Sequence, residues 1–415
     1  MSSAHKILYY ITILLVLAFP PAILHVIHGG STIFVSLAML GICTPYLKRY
    51  RLFSIEETHL FIVLISYLLA AVMSFLINGV NKESLEYLEL YAKFLLAIPF
   101  LYLLLRIRAK EAYVWYGISF ATFLAGILGL LETYFNGTTV IRIHGSTNEI
   151  IYGNLSIAMA FMSIAGIGFF QKKSPWLTLI PVGAFLFGVT ASILSGTRGA
   201  WIAIPALSLL IVFFYWKDLT AIKRIAIISL LLFLPLLLYK VPQTGIKTRL
   251  DQAYKEVFNY QTIDEKTSSA GQRIEMWGIS WNIFIANPII GAGPGMYHQA
   301  AQKFIKKELG NEIVARYNHP HNEYLNMMAT RGFFGFFALL ALFFIPGKHF
   351  YSAMRNKDKA ISRLGLAGML LILAYIHFAL TEAVFERSLF VLFFTFYLAL
   401  LTYHISSLSH QATEG

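Results

Sequence analysis

The 415 residues are 57% hydrophobic and only 13% charged, with a mean hydropathy of +0.65. A water-soluble domain cannot cover that much apolar surface, so the composition points to an integral membrane protein. The formal net charge of +12 would suggest nucleic acid in a soluble chain. Here the Lys and Arg residues sit in short loops between apolar runs, where membrane orientation accounts for them, and nucleic-acid binding is not expected.

Taken in chain order, runs long enough to cross a hydrocarbon core of about 30 Å recur roughly twelve times. The expected spans are 7–26, 31–47, 58–77, 86–105, 112–134, 151–170, 176–194, 199–216, 222–239, 326–346, 364–382 and 388–406. The first follows Lys6 and resembles a signal peptide, but Pro20 and Pro21 stand where a small-residue cleavage site belongs, so it reads as a retained span. Cys43, the single cysteine, lies inside the second run, which excludes an intrachain disulfide and a cysteine-rich metal site.

Charge placement orients the spans. With the N-terminus inside, the inner loops hold Lys48, Arg49 and Arg51, then Arg106, Arg108 and Lys110, then Lys172 and Lys173, then Lys217, Lys223 and Arg224. The last inner loop holds Lys348, Arg355, Lys357, Lys359 and Arg363, whereas the short outer loops hold only Lys82, Arg142, Arg198 and Arg387. The alternation never slips, so both termini are expected in the cytoplasm.

Residues 240–325 break the series: they are polar, and by the same alternation they lie outside. A connection of that length is expected to carry function or its own structure. Ile246–Phe258 and Gln272–Ile285 read as helices, the second ended by Asn287-Pro288, and a third is expected over Met296–Leu309. The chain thus divides into spans one to nine (1–239), the outer loop domain (240–325), and spans ten to twelve with a short tail (326–415).

Three outer segments could carry chemistry. Ser195-Gly196-Thr197-Arg198-Gly199 sets an Arg between two glycines at a membrane surface, where an anion can approach; the alternative is a tight turn with a snorkelling Arg. Asn318-His319-Pro320-His321-Asn322-Glu323 places two imidazoles beside a carboxylate at the mouth of the tenth span. Histidine is the common general base near neutral pH, and a neighbouring carboxylate can fix its tautomer. His-x-His is also a possible zinc pair, but no further ligands stand at usual spacing, so no metal is expected. Gln272-Arg273 opens a loop helix on which Arg273 and Trp277 share a face. Arg142-Ile143-His144-Gly145 adds an outward Arg and His. Gly291-Ala292-Gly293-Pro294-Gly295 reads as a structural turn, because a nucleotide loop follows a strand and this one follows a helix. Lys93 and Glu132 are the main charges inside spans, while Glu382, Glu386 and Arg387 at the last outer turn could pair among themselves.

Together these features resemble the O-antigen ligase and polymerase superfamily. The motifs that carry the resemblance are Arg142-Ile143-His144-Gly145, Ser195-Gly196-Thr197-Arg198-Gly199, Gln272-Arg273 in a Trp-containing helix, and His319-Pro320-His321-Asn322-Glu323-Tyr324-Leu325, in family order. The resemblance implies an all-α polytopic fold of about twelve transmembrane helices with a large helical periplasmic loop, like glycosyltransferases of type C. It implies an inner-membrane enzyme that takes a glycan from an undecaprenyl-pyrophosphate donor at the periplasmic face and transfers it to a lipid A-core hydroxyl. His321 is then the general base with His319 in support; Arg198 and Arg273, and after them Arg142, bind the pyrophosphate; and neither cofactor nor metal is implied. A polymerase or a protein O-oligosaccharyltransferase shares the motifs and the donor. A lipid-glycan flippase is the non-enzyme alternative, and it would line a central path with charge rather than concentrate Arg and His at one surface.

Overall fold

The computed structural model describes residues 3–44, 51–79, 82–135, 142–218, 268–305 and 316–414, with a few isolated positions between them. Among these, every regular element is helical. The principal helices are α1 (Ser3–His25), α2 (Gly29–Cys43), α3 (Ile55–Asn78), α4 (Lys82–Ala92), α5 (Ala97–Ile107), α6 (Ala112–Phe135), α7 (Glu149–Ala165) and α8 (Ile167–Gln171). They continue as α9 (Leu179–Ser195), α10 (Arg198–Trp201), α11 (Ala203–Tyr215), α12 (Ser269–Ala286), α13 (Tyr297–Gln302), α14 (Glu323–Met354), α15 (Lys359–Phe378) and α16 (Ser388–Glu414).

Nine described helical segments are long and apolar enough to cross a membrane, and α2 and α7 are two shorter apolar helices. These account for eleven of the expected spans; apart from isolated positions, the expected span 222–239 and the loop helix Ile246–Phe258 lie outside the described residues, as do residues 306–309 of the third expected loop helix. What is described of that third helix is only the six-residue α13. The expected 272–285 helix is present as α12, capped by the Ser268 hydroxyl, which accepts from Gly271 N. One boundary differs instructively. The span expected to reach residue 382 stops at Phe378, beyond which the chain turns and Glu382 meets two histidines.

Burial orders the bundle. The α16 segment is 89% buried and the α15 segment 78%, so these form the centre, whereas the α10–α11 segment at 17% and the α9 segment at 28% lie on the outside. Stacked rings of Phe19, Phe396 and Phe100 join α1, α16 and α5, with centroids 4.0 and 5.0 Å apart. Helix α7 packs on α6 and α9, and α14 packs on α3, α15 and α12.

Helix α14 breaks at Gly332, whose φ of 61° and ψ of −154° no side-chain-bearing residue adopts without strain. The Pro288 and Ile289 carbonyls enter the break and accept from the amides of Phe333 and Phe334. The glycine-rich stretch then docks along α14: Ala292 N donates to Ala329 O and Gly293 N to Thr330 O. Those amides are spent on backbone, so the stretch is the structural turn expected of it. Lys93 likewise has a local explanation, an ion pair with Glu89 one helical turn away.

Candidate functional site

Chain direction puts one set of helix ends together. Helix α9 arrives at Ser195, α10 departs from Arg198, α14 departs from Glu323 and α15 arrives at Phe378. At that end a cavity of about 490 Å³ is lined by Arg142, Arg198, Arg273 and His321, with Asn154, Gln272, Tyr317 and Thr381. Four residues separated widely in sequence thus share one space. His319, the fifth expected site residue, does not line the cavity; it is buried behind His321, with ring centroids 4.5 Å apart.

Backbone geometry aims His321. Its φ of 49° is left-handed, a conformation that costs a non-glycine residue energy and persists only where neighbours enforce it. They do so on both sides. Trp277 Nε1 donates to Pro320 O at 3.1 Å, and Tyr317 OH donates to Gln272 Oε1 at 2.7 Å, so α12 clamps the segment before His321. After it, Asn322 caps α14 by accepting from Leu325 N and donates through Nδ2 to Leu380 O. The face shared by Arg273 and Trp277 on α12 therefore works as a unit: one residue lines the cavity and the other holds the histidine turn.

His321 Nδ1 lies 2.9 Å from Glu382 Oε2, 61 residues further along the chain. Glu382 is 1% exposed, and its other oxygen faces His319 Nε2 at 3.7 Å and Arg387 Nε at 3.4 Å. Burial alone would push its carboxyl up, but the His321 hydrogen bond, the two imidazoles and the Arg387 guanidinium outweigh it and hold it at about 2. His319 is pushed down to about 3 by burial, so it is neutral, and its Nδ1 accepts from His321 N. An ionised Glu382 keeps the His321 proton on Nδ1 and leaves Nε2 as the basic nitrogen.

Glu382 is in turn fixed through the turn that carries it. Glu323 Oε2 accepts from Phe385 N, and Glu323 N donates to Ala379 O. Glu386 does not pair with Arg387; its Oε1 receives Arg331, Asn326 and Tyr91 in the interior. Of the expected pairing among Glu382, Glu386 and Arg387, only Glu382–Arg387 forms.

Arg142 makes a 3.1 Å ion pair with Glu149 and donates through Nε to Ser195 O. It thereby braces the turn that presents Arg198. Thr197 Oγ1 donates to Glu149 O, bringing that turn against α7 at Gly153. A Cβ on Gly153 would sit 2.3 Å from Ser195 Oγ and 2.8 Å from Thr197 Cβ. Gly153→Ala is accordingly expected to force the Arg198 turn outward, at an overpacking cost of about 1–3 kcal/mol. A thermal unfolding midpoint equal to that of the parent protein would show that the close approach is not needed.

Asn154 is the site residue that sequence reasoning missed. It is 1% exposed, lines the cavity, and neither its Nδ2 nor its Oδ1 has a hydrogen-bond partner. An unpaired buried amide is costly, of the order of 1–3 kcal/mol, and such groups need an explanation. The only sequence signal was a polar residue inside an apolar span, five positions after Glu149.

Could the cluster hold a cation? His319, His321 and Glu382 each offer a donor atom, all within 4.8 Å of one another. The third donor, absent at any usual sequence spacing, is supplied by the tertiary fold. However, Glu382 is already engaged by His321 and Arg387, so an ion there would have to displace one of them.

Comparison with known proteins bears out the resemblance. Residues 183–340 match the O-antigen ligase family model, a segment that includes Arg198, Arg273, His319 and His321 but not Arg142, Asn154 or Glu382. An uncharacterized protein of Haemophilus influenzae is 25% identical over 338 residues, covering 81% of this chain and 84% of that protein. The O-antigen ligase of Escherichia coli K12 is 24% identical over 288 residues, covering 66% of this chain and 64% of its own length.

Proposed function

From the O-antigen ligase match over residues 183–340, we propose that this chain is a multi-pass inner-membrane glycosyltransferase. It moves a glycan from undecaprenyl pyrophosphate to a hydroxyl of the lipid A-core. The single observation that carries the reading is the convergence of Arg142, Arg198, Arg273 and His321 on one cavity at one end of the bundle. The Lys and Arg bias of the loops supports a periplasmic position for that cavity and cytoplasmic termini.

The reaction is a direct displacement. His321 Nε2 takes the proton of the acceptor hydroxyl as its oxygen attacks the anomeric carbon. The bond from that carbon to the pyrophosphate oxygen breaks on the opposite face, which inverts the centre. Arg198 and Arg273 receive the charge that grows on the leaving pyrophosphate, since a planar guanidinium makes bidentate, permanently charged hydrogen bonds. Arg142 braces the Arg198 turn, and Glu382 acts as the positioning residue of His321.

Deleting the gene distinguishes the ligase from its relatives. Polymer accumulating on the carrier lipid with bare lipid A-core is the expected result. Single repeats on the core would instead indicate a polymerase, and unmodified protein acceptors with intact lipopolysaccharide a protein O-oligosaccharyltransferase.

Two further outcomes are expected. Purified enzyme should transfer glycan undiminished in EDTA, because the arginines neutralise the leaving group; activity strictly dependent on added magnesium or manganese would overturn the metal-free displacement. Asn154→Ala should lower kcat/KM by about three- to tenfold, the worth of one substrate hydrogen bond. It should also raise the thermal midpoint, because a buried unpaired amide is removed. Unchanged kcat/KM would exclude Asn154 from substrate contact.

A further inference from the structure

A second charged cavity, of about 880 Å³, lies at the end of the bundle opposite the His321 site, where α11 and α14 finish and α15 begins. Among the described residues it is lined by Lys172, Lys217, Arg355, Lys359 and Arg363 and by no acidic residue. Positive loops alone explain scattered surface cations, not five cations around one hollow. None of the five is in a close ion pair among the described residues, and Glu111 alone acts on two of them, Arg363 and Lys172, from the side.

Arg363 is the most telling. It is 6% exposed, packs across Gly168, and its Nε has no hydrogen-bond partner. Glu111 offsets part of the charge of Arg363 and Lys172, but one carboxylate does not balance five cations around one hollow, which leaves the hollow suited to an anion. Neither nearby acid lines the hollow itself. Asp358 Oδ1 caps α15 by accepting from the Ala360 and Ile361 amides, and Glu111 lines a neighbouring cavity with Arg108 and Lys110.

The flanks indicate what carries the anion. Phe213, Trp216 and Tyr351 rim the cavity and are exposed, as aromatic side chains are at a membrane interface. From that rim the outer face of α11 continues toward the bundle middle through exposed Leu209. A ligand with a phosphate in the hollow and acyl chains along α11 would satisfy both features.

We propose that this cavity is a binding site for an anionic phospholipid of the leaflet opposite the His321 site, with its phosphate held by Arg355, Lys359 and Arg363. The proposal rests on the membrane-spanning arrangement and is independent of the transfer reaction.

The test is native mass spectrometry of the full-length protein in detergent, titrated with phosphatidylglycerol or phosphatidylethanolamine. Tighter binding of phosphatidylglycerol is expected, weakened about tenfold in the double variant Arg355→Gln/Lys359→Gln, whose two positions are exposed and so leave the fold intact. The control variant Lys110→Gln/Lys357→Gln removes two exposed cations from the same end but outside the cavity, and should change affinity less than about threefold. Equal loss in both variants would mean diffuse attraction and overturn the site. So would equal affinity for the two lipids, or equally tight binding of free glycerol phosphate, which would make the ligand soluble. Activity against the glycan donor plays no part in the readout, so failure here leaves the proposed reaction standing.

Discussion

His321→Ala is expected to lower glycan transfer by about 10²–10⁴-fold at equal membrane expression, the usual worth of a positioned general base. The expectation rests on three features. His321 lines the cavity that holds the arginines, its left-handed backbone is enforced by Trp277 and Asn322, and an ionised Glu382 holds Nδ1. The measurement is transfer from lipid-linked glycan to acceptor with purified protein, alongside the lipopolysaccharide profile of complemented cells. Unimpaired transfer would remove His321 as the base. Glu382→Gln separates chemistry from positioning. The amide keeps the shape but can donate to Nδ1, which favours the wrong tautomer, so kcat should fall and the pH–rate profile should change while KM holds. A purely structural role for Glu382 would alter stability and leave the pH profile where it was.

The second large effect is expected at Arg198. Replacement by Ala should cost about 10²–10³-fold in kcat, comparable to removing one preorganised donor from a site of developing negative charge. Arg198→Lys is the sharper experiment. Lysine retains the charge but loses the fork, so if bidentate binding of pyrophosphate matters the variant should still be impaired on the order of tenfold, one charge-assisted hydrogen bond of about 1.5 kcal/mol. Full activity in the Lys variant would reduce Arg198 to a point charge. Arg273→Lys is expected to behave in the same way, and the two together should lose less than the product of their separate losses, since both bear on one leaving group.

The spans were legible because a membrane imposes a local rule: a helix must be apolar for its whole length, whatever it packs against. Each described span therefore lies close to its apolar run. The exceptions arise where tertiary contacts override hydropathy. Residues 379–382 look apolar enough to extend the helix, yet Glu382 is drawn to His319 and His321 and the helix ends at Phe378. Helix α14 continues through Pro346 but breaks at Gly332, where the 288–293 segment docks.

The same division governs the site. Arg142, Arg198, His319 and His321 could be picked out individually, because each stands in a short polar motif at the mouth of an apolar run, and Arg273 because it opens a Trp-containing helix of the outer loop. Alternation of helix direction brings Arg142, Arg198 and His321 to one end, and the packing of α12 on α14 adds Arg273. Two other features had no local mark. Glu382 reaches His321 only because α14 and α15 lie side by side and the turn after α15 is stapled to α14 through Glu323 and Ala379. Asn154 faces the cavity only because α7 packs against the Arg198 turn at Gly153.

By itself, then, the sequence determined that the chain is a polytopic helical membrane protein, which ends of its helices carry Arg and His, and which family it resembles. Hydropathy and charge act within one span or one loop and leave their pattern in consecutive residues. The tertiary structure decided which carboxylate holds the histidine, which amide lines the cavity, and where the opposite end gathers its cations around a hollow. Those depend on the rotation of each helix about its axis and on which helices are neighbours, and packing sets both.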